Sequence, residues 1–332
     1  MSNYNVGDII RLTRQSVEMS QEELSDGICS VQTLSRIENG KVNVKKETYR
    51  KLMERMNRNG LKNYSILALE EFDSLERMRK INNLMFRREF AEAEINLNKL
   101  KLELDGEDVL NLQYIKRKEV IINYQKGCFS KEEYLEGLET VISLTLTDYK
   151  SFLNKTYPFS AEEVRTLMNI ASIYGELEDN DMAIRIYDML LRSLNTGYMA
   201  QKSALPFILI IMNGSAKMQG GKGNHQLAIE ICWNVIEKSK KNNLFTILPN
   251  AYGEIAWNMM KQIEKGDRGE NEKETCKKLM RQGYAIAALT KQFVIKDIIE
   301  NLFFEWFHEK VYSSTGSGNE ELSKCNRVLP KS

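Results

Sequence analysis

Few side chains in this 332-residue chain have the types and spacings that catalysis or metal binding requires. The two histidines, His225 and His308, stand in no metal-ligand or triad pattern, and the five cysteines are scattered without a CxxC pair. The glycine-rich run Gly220–Gly223 lacks the GxxxxGK[ST] spacing of a phosphate loop, so we interpret it as a turn between helices. We therefore predict that the chain is not an enzyme and that it uses no cofactor or metal.

The bulk composition is that of a helical protein with a large core. Hydrophobic residues make up 42% and charged residues 28% of the chain, with only 4 prolines and a mean hydropathy of −0.43. No apolar run approaches the roughly 20 residues that span a bilayer, and no signal peptide is evident. An odd number of scattered cysteines fits a reducing compartment. These observations predict a cytoplasmic protein without a membrane partner.

Local signals in the first 60 residues predict four short helices. Ser20 and Glu23 have the spacing of a capping box, in which a hydroxyl and a carboxylate each bond the other residue's backbone amide. Gly27 can take the positive φ that ends a helix, and Ser30 suits the N-cap of the next. The predicted helices cover residues 6–17, 20–27, 30–39 and 46–56. Residues 1–63 carry a net charge of +3, against −2 for the remainder, which suits contact with phosphates.

The segment SQEELSDGICSVQTLSRIENGK, residues 20–41, resembles the helix-turn-helix of the Cro/repressor class, particularly its peptide-sensing Firmicute-type members. Ser25 stands where the class usually has alanine, a departure that still permits close packing. The resemblance implies DNA binding, with the third helix in the major groove, and a structural ion pair between Arg14 and Glu38. The positions that match its packing residues are Leu24, Ile28, Leu34 and Ile37.

Alignment with this class assigns the DNA contacts. Glutamine can bond adenine at two atoms, arginine can do so with guanine, and valine can pack on a thymine methyl. The base-facing positions fall on Val31, Gln32 and Arg36, with Thr33 and Ser35 nearby. The positions that resemble phosphate contacts are Gln21, Asn39 and Lys41. The alternative is that these polar residues form only a solvated helix face.

Residues 57–63 form a polar, Gly-containing segment that we interpret as a linker. Beyond it, the sequence pattern predicts helices separated by short turns. The unit from Glu162 to Leu194 places Ala171, Tyr174, Ala183 and Tyr187 at the small and aromatic positions of a tetratricopeptide repeat, which it resembles. Weaker copies repeat this pattern at longer spacing, around Ala93, Tyr134, Ala228 and Cys276. We predict about five helix pairs closed by an apolar segment around Phe293–Phe307. Within it, the aromatic cluster of Phe303, Phe304, Trp306 and Phe307 is interpreted as the core of a cap rather than as a ligand pocket.

The predicted fold is therefore all-α, a helix-turn-helix domain followed by a right-handed superhelix of degenerate tetratricopeptide-like helix pairs. The predicted domains are residues 1–63 for DNA binding, 64–312 for the repeats, and 313–332 as a tail that is flexible or a loose final helix.

The concave groove of such repeats suits an extended peptide, because an asparagine amide both donates to and accepts from a peptide backbone. Asn169 resembles the peptide-clamping asparagine of tetratricopeptide proteins, and Asn213 has a similar place in the next unit. Arg165 could meet a carboxylate. Further candidates are Asn123, Asn250 and Asn258. The alternative is that these asparagines are simply exposed or capping residues.

Together, the two parts resemble the Rgg/PlcR/PrgX-type peptide-pheromone regulators of Gram-positive bacteria. This resemblance covers most of the chain by architecture but only the first 60 residues by specific motif. It implies a cytoplasmic homodimer that binds double-stranded operator DNA and a short signalling peptide, as in quorum sensing. Two alternatives stay open: a ligand-independent regulator whose repeats only dimerise it, and an adaptor that sequesters a protein partner.

Overall fold

The computed structural model describes residues 6–39, 41–42, 44–56, 72–104, 109–196, 199 and 201–312, and within these residues the regular structure is entirely helical. The predicted linker at 57–63 and the predicted tail at 313–332 lie outside the described residues. The chain divides into two compact units, residues 1–244 and 245–332. None of the described helices is long and apolar enough to cross a membrane.

Four short helices open the first unit, and their ends follow the local signals in the sequence. They are α1 (Val6–Ser16), α2 (Gln21–Ser25), α3 (Val31–Glu38) and α4 (Lys46–Arg55). The capping box is confirmed, because Ser20 Oγ accepts from the Glu23 amide at 3.1 Å and Glu23 accepts from the Ser20 amide at 2.7 Å. Gly27 takes a φ of +64°, and Ser30 caps α3 as predicted.

The core of these four helices is small, and its members are fully or nearly fully buried. They are Ile10, Leu24, Leu34, Ile37, Leu52, Met53 and Met56. Gly7 lies where α1 crosses the end of α3, and a Cβ added there would stand only 1.8 Å from the carbonyl oxygen of Ile37. The glycine is therefore required for the close approach of the two helices.

The first unit continues with eight longer helices that form four successive antiparallel pairs. The pairs are α5 (Phe72–Phe86) with α6 (Phe90–Glu103), α7 (Val109–Gln125) with α8 (Lys131–Ser143), α9 (Ala161–Glu176) with α10 (Asn180–Leu194), and α11 (Gln201–Gly221) with α12 (His225–Lys241). Each helix packs on the next, and α9 also contacts α7 and α11. The first helices of the last three of these pairs therefore lie side by side, as stacked helical repeats require.

The second unit contains α13 (Leu248–Glu264), α14 (Lys273–Leu289) and α15 (Phe293–Phe307), which pack on one another. With this fifth pair and the closing helix, the all-α prediction with N-terminal helix-turn-helix and helical repeats is confirmed for the described residues. The positions that defined the weaker repeats are buried: Ala93, Tyr134, Ala183, Ala228 and Cys276.

The aromatic residues of α15 only partly fit the interpretation as a cap core. Phe303 is fully buried, but Phe304 is 59% exposed. The packed face of α15 covers Phe303 and leaves the adjacent ring of Phe304 outside it. The interpretation is therefore right for Phe303 and wrong for Phe304.

Candidate DNA-binding and peptide-binding sites

Helix α3 has a polar face that is exposed to solvent and an apolar face that packs in the core of the domain. Leu34 and Ile37 are buried in the core, while Gln32 and Arg36 are exposed on the opposite side. Val31, in the first turn, is 36% exposed. The predicted base-contacting residues thus share the solvent side of the helix.

The two remaining base-contact candidates, Thr33 and Ser35, are half-buried. The Thr33 hydroxyl lies 2.8 Å from that of Ser30, so the two hydroxyls hydrogen-bond at the start of α3. These two residues have less surface available for a base than Gln32 or Arg36.

A buried charge network fixes α3 against the rest of the domain. Glu38, 1% exposed, accepts from Arg14 Nε at 2.7 Å and from Arg14 Nη2 at 2.9 Å, a two-atom contact. The Gln21 side-chain amide donates to the same carboxylate at 2.6 Å. The ion pair that the resemblance implied is therefore present. It ties α1, the start of α2 and the end of α3 together.

The phosphate-contact candidates lie at helix ends. The side-chain amide of Gln21 is engaged by Glu38, but its backbone sits in the first turn of α2, where helix N–H groups favour anions. Asn39 caps α3 and donates from Nδ2 to the Ser35 carbonyl at 2.7 Å. Lys41 is exposed beyond the end of α3. These assignments stay predictions.

The peptide-contact candidates of the first unit lie on three neighbouring helices, each the first helix of its pair. Asn123 is on α7, Arg165 and Asn169 are on α9, and Asn213 is on α11, and all four side chains are half-buried. Arg165 and Asn169 are one helical turn apart and so share a face of α9. The guanidinium of Arg165 also stacks 5.0 Å from the ring centroid of Phe207 on α11.

The other two candidates, Asn250 and Asn258, belong to α13 in the second unit. Asn258 is fully buried, and its Nδ2 donates to the backbone carbonyl of Glu254 at 2.8 Å and to its carboxylate at 3.1 Å. Its amide is therefore committed within its own helix. Asn250 is half-buried.

A cluster of charges around Arg165 is present that no sequence motif predicts. Arg117 on α7 pairs with Glu162 on α9 at 2.8 Å, and Glu162 also pairs with Arg165 at 2.7 Å. The Lys118 ammonium donates to the side-chain oxygen of Asn82 on α5 at 2.6 Å. We call Arg117, Lys118, Glu162 and Arg165 the cationic cluster. The only signal in the sequence is the basic run Lys116–Lys118, which resembles an ordinary exposed helix face.

Burial shifts the proton affinity of this cluster. Desolvation, together with the positive charge of Arg117, lowers the pKa of Lys118 to about 7. Burial alone would raise the pKa of Glu162, but the charges of Arg117, Arg165 and Lys118 outweigh it and lower that pKa. Glu162 thus stays ionised, whereas the ammonium of Lys118 is only marginally retained at neutral pH.

Comparison with known proteins agrees with the architecture. Residues 10–60 match the helix-turn-helix family HTH_3, so they form a helix-turn-helix domain. The sequence expectation that the chain is not an enzyme agrees with this match. A comparison with curated proteins finds no match.

Solved structures share the fold over most of the chain. The PlcR structure of Bacillus thuringiensis in complex with the peptide PapR7 and DNA matches with a TM-score of 0.56 and 17% identity, over 90% of this chain and 99% of that one. Apo PlcR from the same organism matches with a TM-score of 0.53 and 14% identity, over 89% and 98%. ComR from S. thermophilus, in complex with DNA and its signalling peptide ComS, gives 0.50 and 13%, over 89% and 97%. This chain therefore has the fold of PlcR and ComR.

Proposed function

We propose that this protein is a transcription regulator that binds DNA through α3 and is controlled by a short signalling peptide held against helices α7, α9 and α11. The observation that carries the proposal is the combination of a helix-turn-helix domain with a repeat body in the fold of PlcR, whose matched structure is a complex with peptide and DNA. Quorum sensing is the role that this combination fits. The proposed domain boundaries are those predicted: 1–63, 64–312 and a tail.

The proposed operator contacts follow the polar face of α3. Val31, Gln32 and Arg36 would contact base edges, with Thr33 and Ser35 beside them. Phosphate contacts by Gln21, Asn39 and Lys41 would set the register of the helix in the groove without reading sequence. The exposure of Gln32 and Arg36, and the network that holds Glu38, support this assignment.

The proposed peptide contacts are Asn123, Asn169 and Asn213, whose amides would pair with the peptide backbone, together with Arg165. Their half-buried positions on three adjacent helices support the proposal. Asn250 remains a candidate in the second unit. Asn258 is left out of the proposed contacts because its amide already bonds Glu254.

We further propose that the protein acts as a cytoplasmic homodimer. Two recognition helices in a dimer match two half-sites about one DNA turn apart, and a peptide that favours one dimer arrangement changes how well they match. The peptide can shift this equilibrium only as far as it binds one arrangement more tightly than the other.

The test uses the full chain and an operator duplex selected from random DNA. Fluorescence anisotropy measures the Kd of the duplex with and without a pool of synthetic heptapeptides, and a duplex with scrambled half-sites is the control. We expect selective DNA binding whose Kd changes when a peptide is present. Sequence-selective binding that no peptide alters would instead show a ligand-independent regulator, and the absence of selective DNA binding would reject the proposal.

A further inference from the structure

The cationic cluster holds more positive charge than its surroundings balance. Arg117 is 4% exposed and Lys118 is 6% exposed, yet among the described residues the only carboxylate paired with the three cations of the cluster is that of Glu162, which belongs to the cluster itself. Cations buried without a counter-charge are costly, and each cation in excess favours the entry of an anion. Since Glu162 is shared by two arginines, it cannot also neutralise Lys118.

A buried hydroxyl beside the cluster also lacks a partner. Tyr114, one turn before Lys118 on α7, is 5% exposed, and its hydroxyl has no hydrogen-bond partner within the described structure. The charges of Glu162, Arg117 and Arg165 all act on this phenol, which places it within their field. A buried donor left unpaired costs free energy, so an acceptor that reached it would bind favourably.

Arg165 connects the cluster to the surface on which a peptide would lie. Its side chain is 40% exposed, unlike that of Arg117, and it lies one turn from Asn169 on the same face of α9. The ring of Phe207 supports the guanidinium from α11. A ligand that lies along Asn169 therefore meets a positively charged group backed by two buried cations.

We propose that the cationic cluster, with the hydroxyl of Tyr114, is the subsite that receives a carboxylate of the signalling peptide. The inference rests on the proposed function and specifies what its ligand must carry. The carboxylate would bind Arg165 first and compete with Glu162 for the guanidinium groups. A terminal carboxylate and an aspartate or glutamate side chain share this chemistry, and the experiment separates them.

Binding of an anion at the cationic cluster is linked to the uptake of a proton by Lys118. The groups that face Lys118 are Asn82 from α5, Tyr114 and Arg117 from α7, and Glu162 and Arg165 from α9. In the free protein the pKa of Lys118 is about 7, and a neighbouring carboxylate would raise it. Above pH 7 the complex therefore takes up a proton, and affinity for the peptide falls between pH 7 and pH 9.

The probe is one heptapeptide selected from the pool by its retention on the full chain, then synthesised in four forms. The forms combine a free or amidated C-terminus with acidic side chains either kept or replaced by their amides. Calorimetry gives each Kd. We expect about tenfold or greater loss of affinity in the form that lacks the recognised carboxylate, the effect of one charge-assisted hydrogen bond. Equal affinity of all four forms would overturn the proposal.

Two variants test whether the peptide carboxylate binds at the cationic cluster. Arg165→Gln should reduce the preference for the carboxylate form to less than about threefold, whereas Arg185→Gln, at an exposed site on α10, should keep it. Tyr114→Phe removes only an unpaired hydroxyl, so the protein should fold at least as stably while the carboxylate preference falls. A preference that persists in both Arg165→Gln and Tyr114→Phe would show that the carboxylate binds elsewhere.

A proton measurement separates this subsite from a general attraction between charges. Calorimetry in buffers of different ionisation enthalpy should show net proton uptake at pH 8, and Lys118→Met should abolish it. Unchanged uptake in Lys118→Met would contradict the subsite. If no heptapeptide binds the wild-type chain, the proposed peptide control itself fails, whereas peptides that bind without carboxylate preference refute only this inference.

Discussion

The carboxylate of Glu38 is expected to stabilise the whole DNA-binding domain, and Glu38→Gln tests this at constant side-chain size. The substitution removes the charge that Arg14 contacts at two atoms, 2.7 and 2.9 Å away, and weakens the 2.6 Å bond from Gln21. Breaking one partner of a buried pair costs about 3–5 kcal/mol. Arg14 is 12% exposed and also donates to the Met19 carbonyl, so we expect a smaller loss, of about 2–3 kcal/mol.

That loss is large for a small domain, since residues 10–60 would be stable by only about 3–7 kcal/mol. Hydrogen exchange read by mass spectrometry should show amides of α1 and α3 exchanging about 30- to 150-fold faster, while those of α9 and α10 are unchanged. The matched control is Glu54→Gln, which breaks an exposed pair with Arg50 worth about 0.3–0.5 kcal/mol.

Equal protection of α1 and α3 in Glu38→Gln and Glu54→Gln would refute the stabilising role of the Glu38 carboxylate. A second measurement tests the cause. Adding Arg14→Met to Glu38→Gln removes the unpaired cation, so the double variant should be no less stable than Glu38→Gln alone. A fully additive loss would show that the two side chains do not act as a pair.

Three further predictions concern the sites. Arg36→Ala should weaken operator binding about tenfold or more and relax specificity without changing helical content, whereas Arg50→Ala on α4 should not relax specificity; unchanged operator affinity by anisotropy in Arg36→Ala would reject the base contact. Asn169→Ala should abolish the peptide response and leave DNA binding intact, with Ser172→Ala on the same helix as control; equal peptide affinity by calorimetry would reject that assignment. The pKa of Lys118 is about 7 in the folded protein and near 10.5 when exposed, so the unfolded chain binds more protons between these values and stability rises with pH there. Urea midpoints at pH 7 and 9 should show a smaller rise in Lys118→Met, and an equal rise would contradict a buried, weakly basic lysine.

The features that could be predicted from the sequence are those with local causes. The capping box of Ser20 and Glu23 spans only three residues, and the turn at Gly27 depends on one residue's backbone freedom. The repeat positions Ala183 and Tyr187 are recognisable because a helix that packs on one side must repeat its small and large residues with the helical period. The ion pair between Arg14 and Glu38 was predictable only from the resemblance to a known class.

What only the tertiary structure decided depends on residues far apart in the chain. Arg117 and Glu162 are 45 positions apart in the sequence, and Lys118 and Asn82 are 36 apart. No local sequence pattern therefore predicts these contacts. The exposure of an asparagine side chain also depends on how the neighbouring helices cover it. Asn169 is half-buried, whereas Asn258 is buried and bonds its own helix. The sequence by itself therefore determined the helices, the repeat plan and the face of α3. The packing of helices α5, α7 and α9 determined where buried charge accumulates, because burial and long-range pairing are properties of the assembled fold.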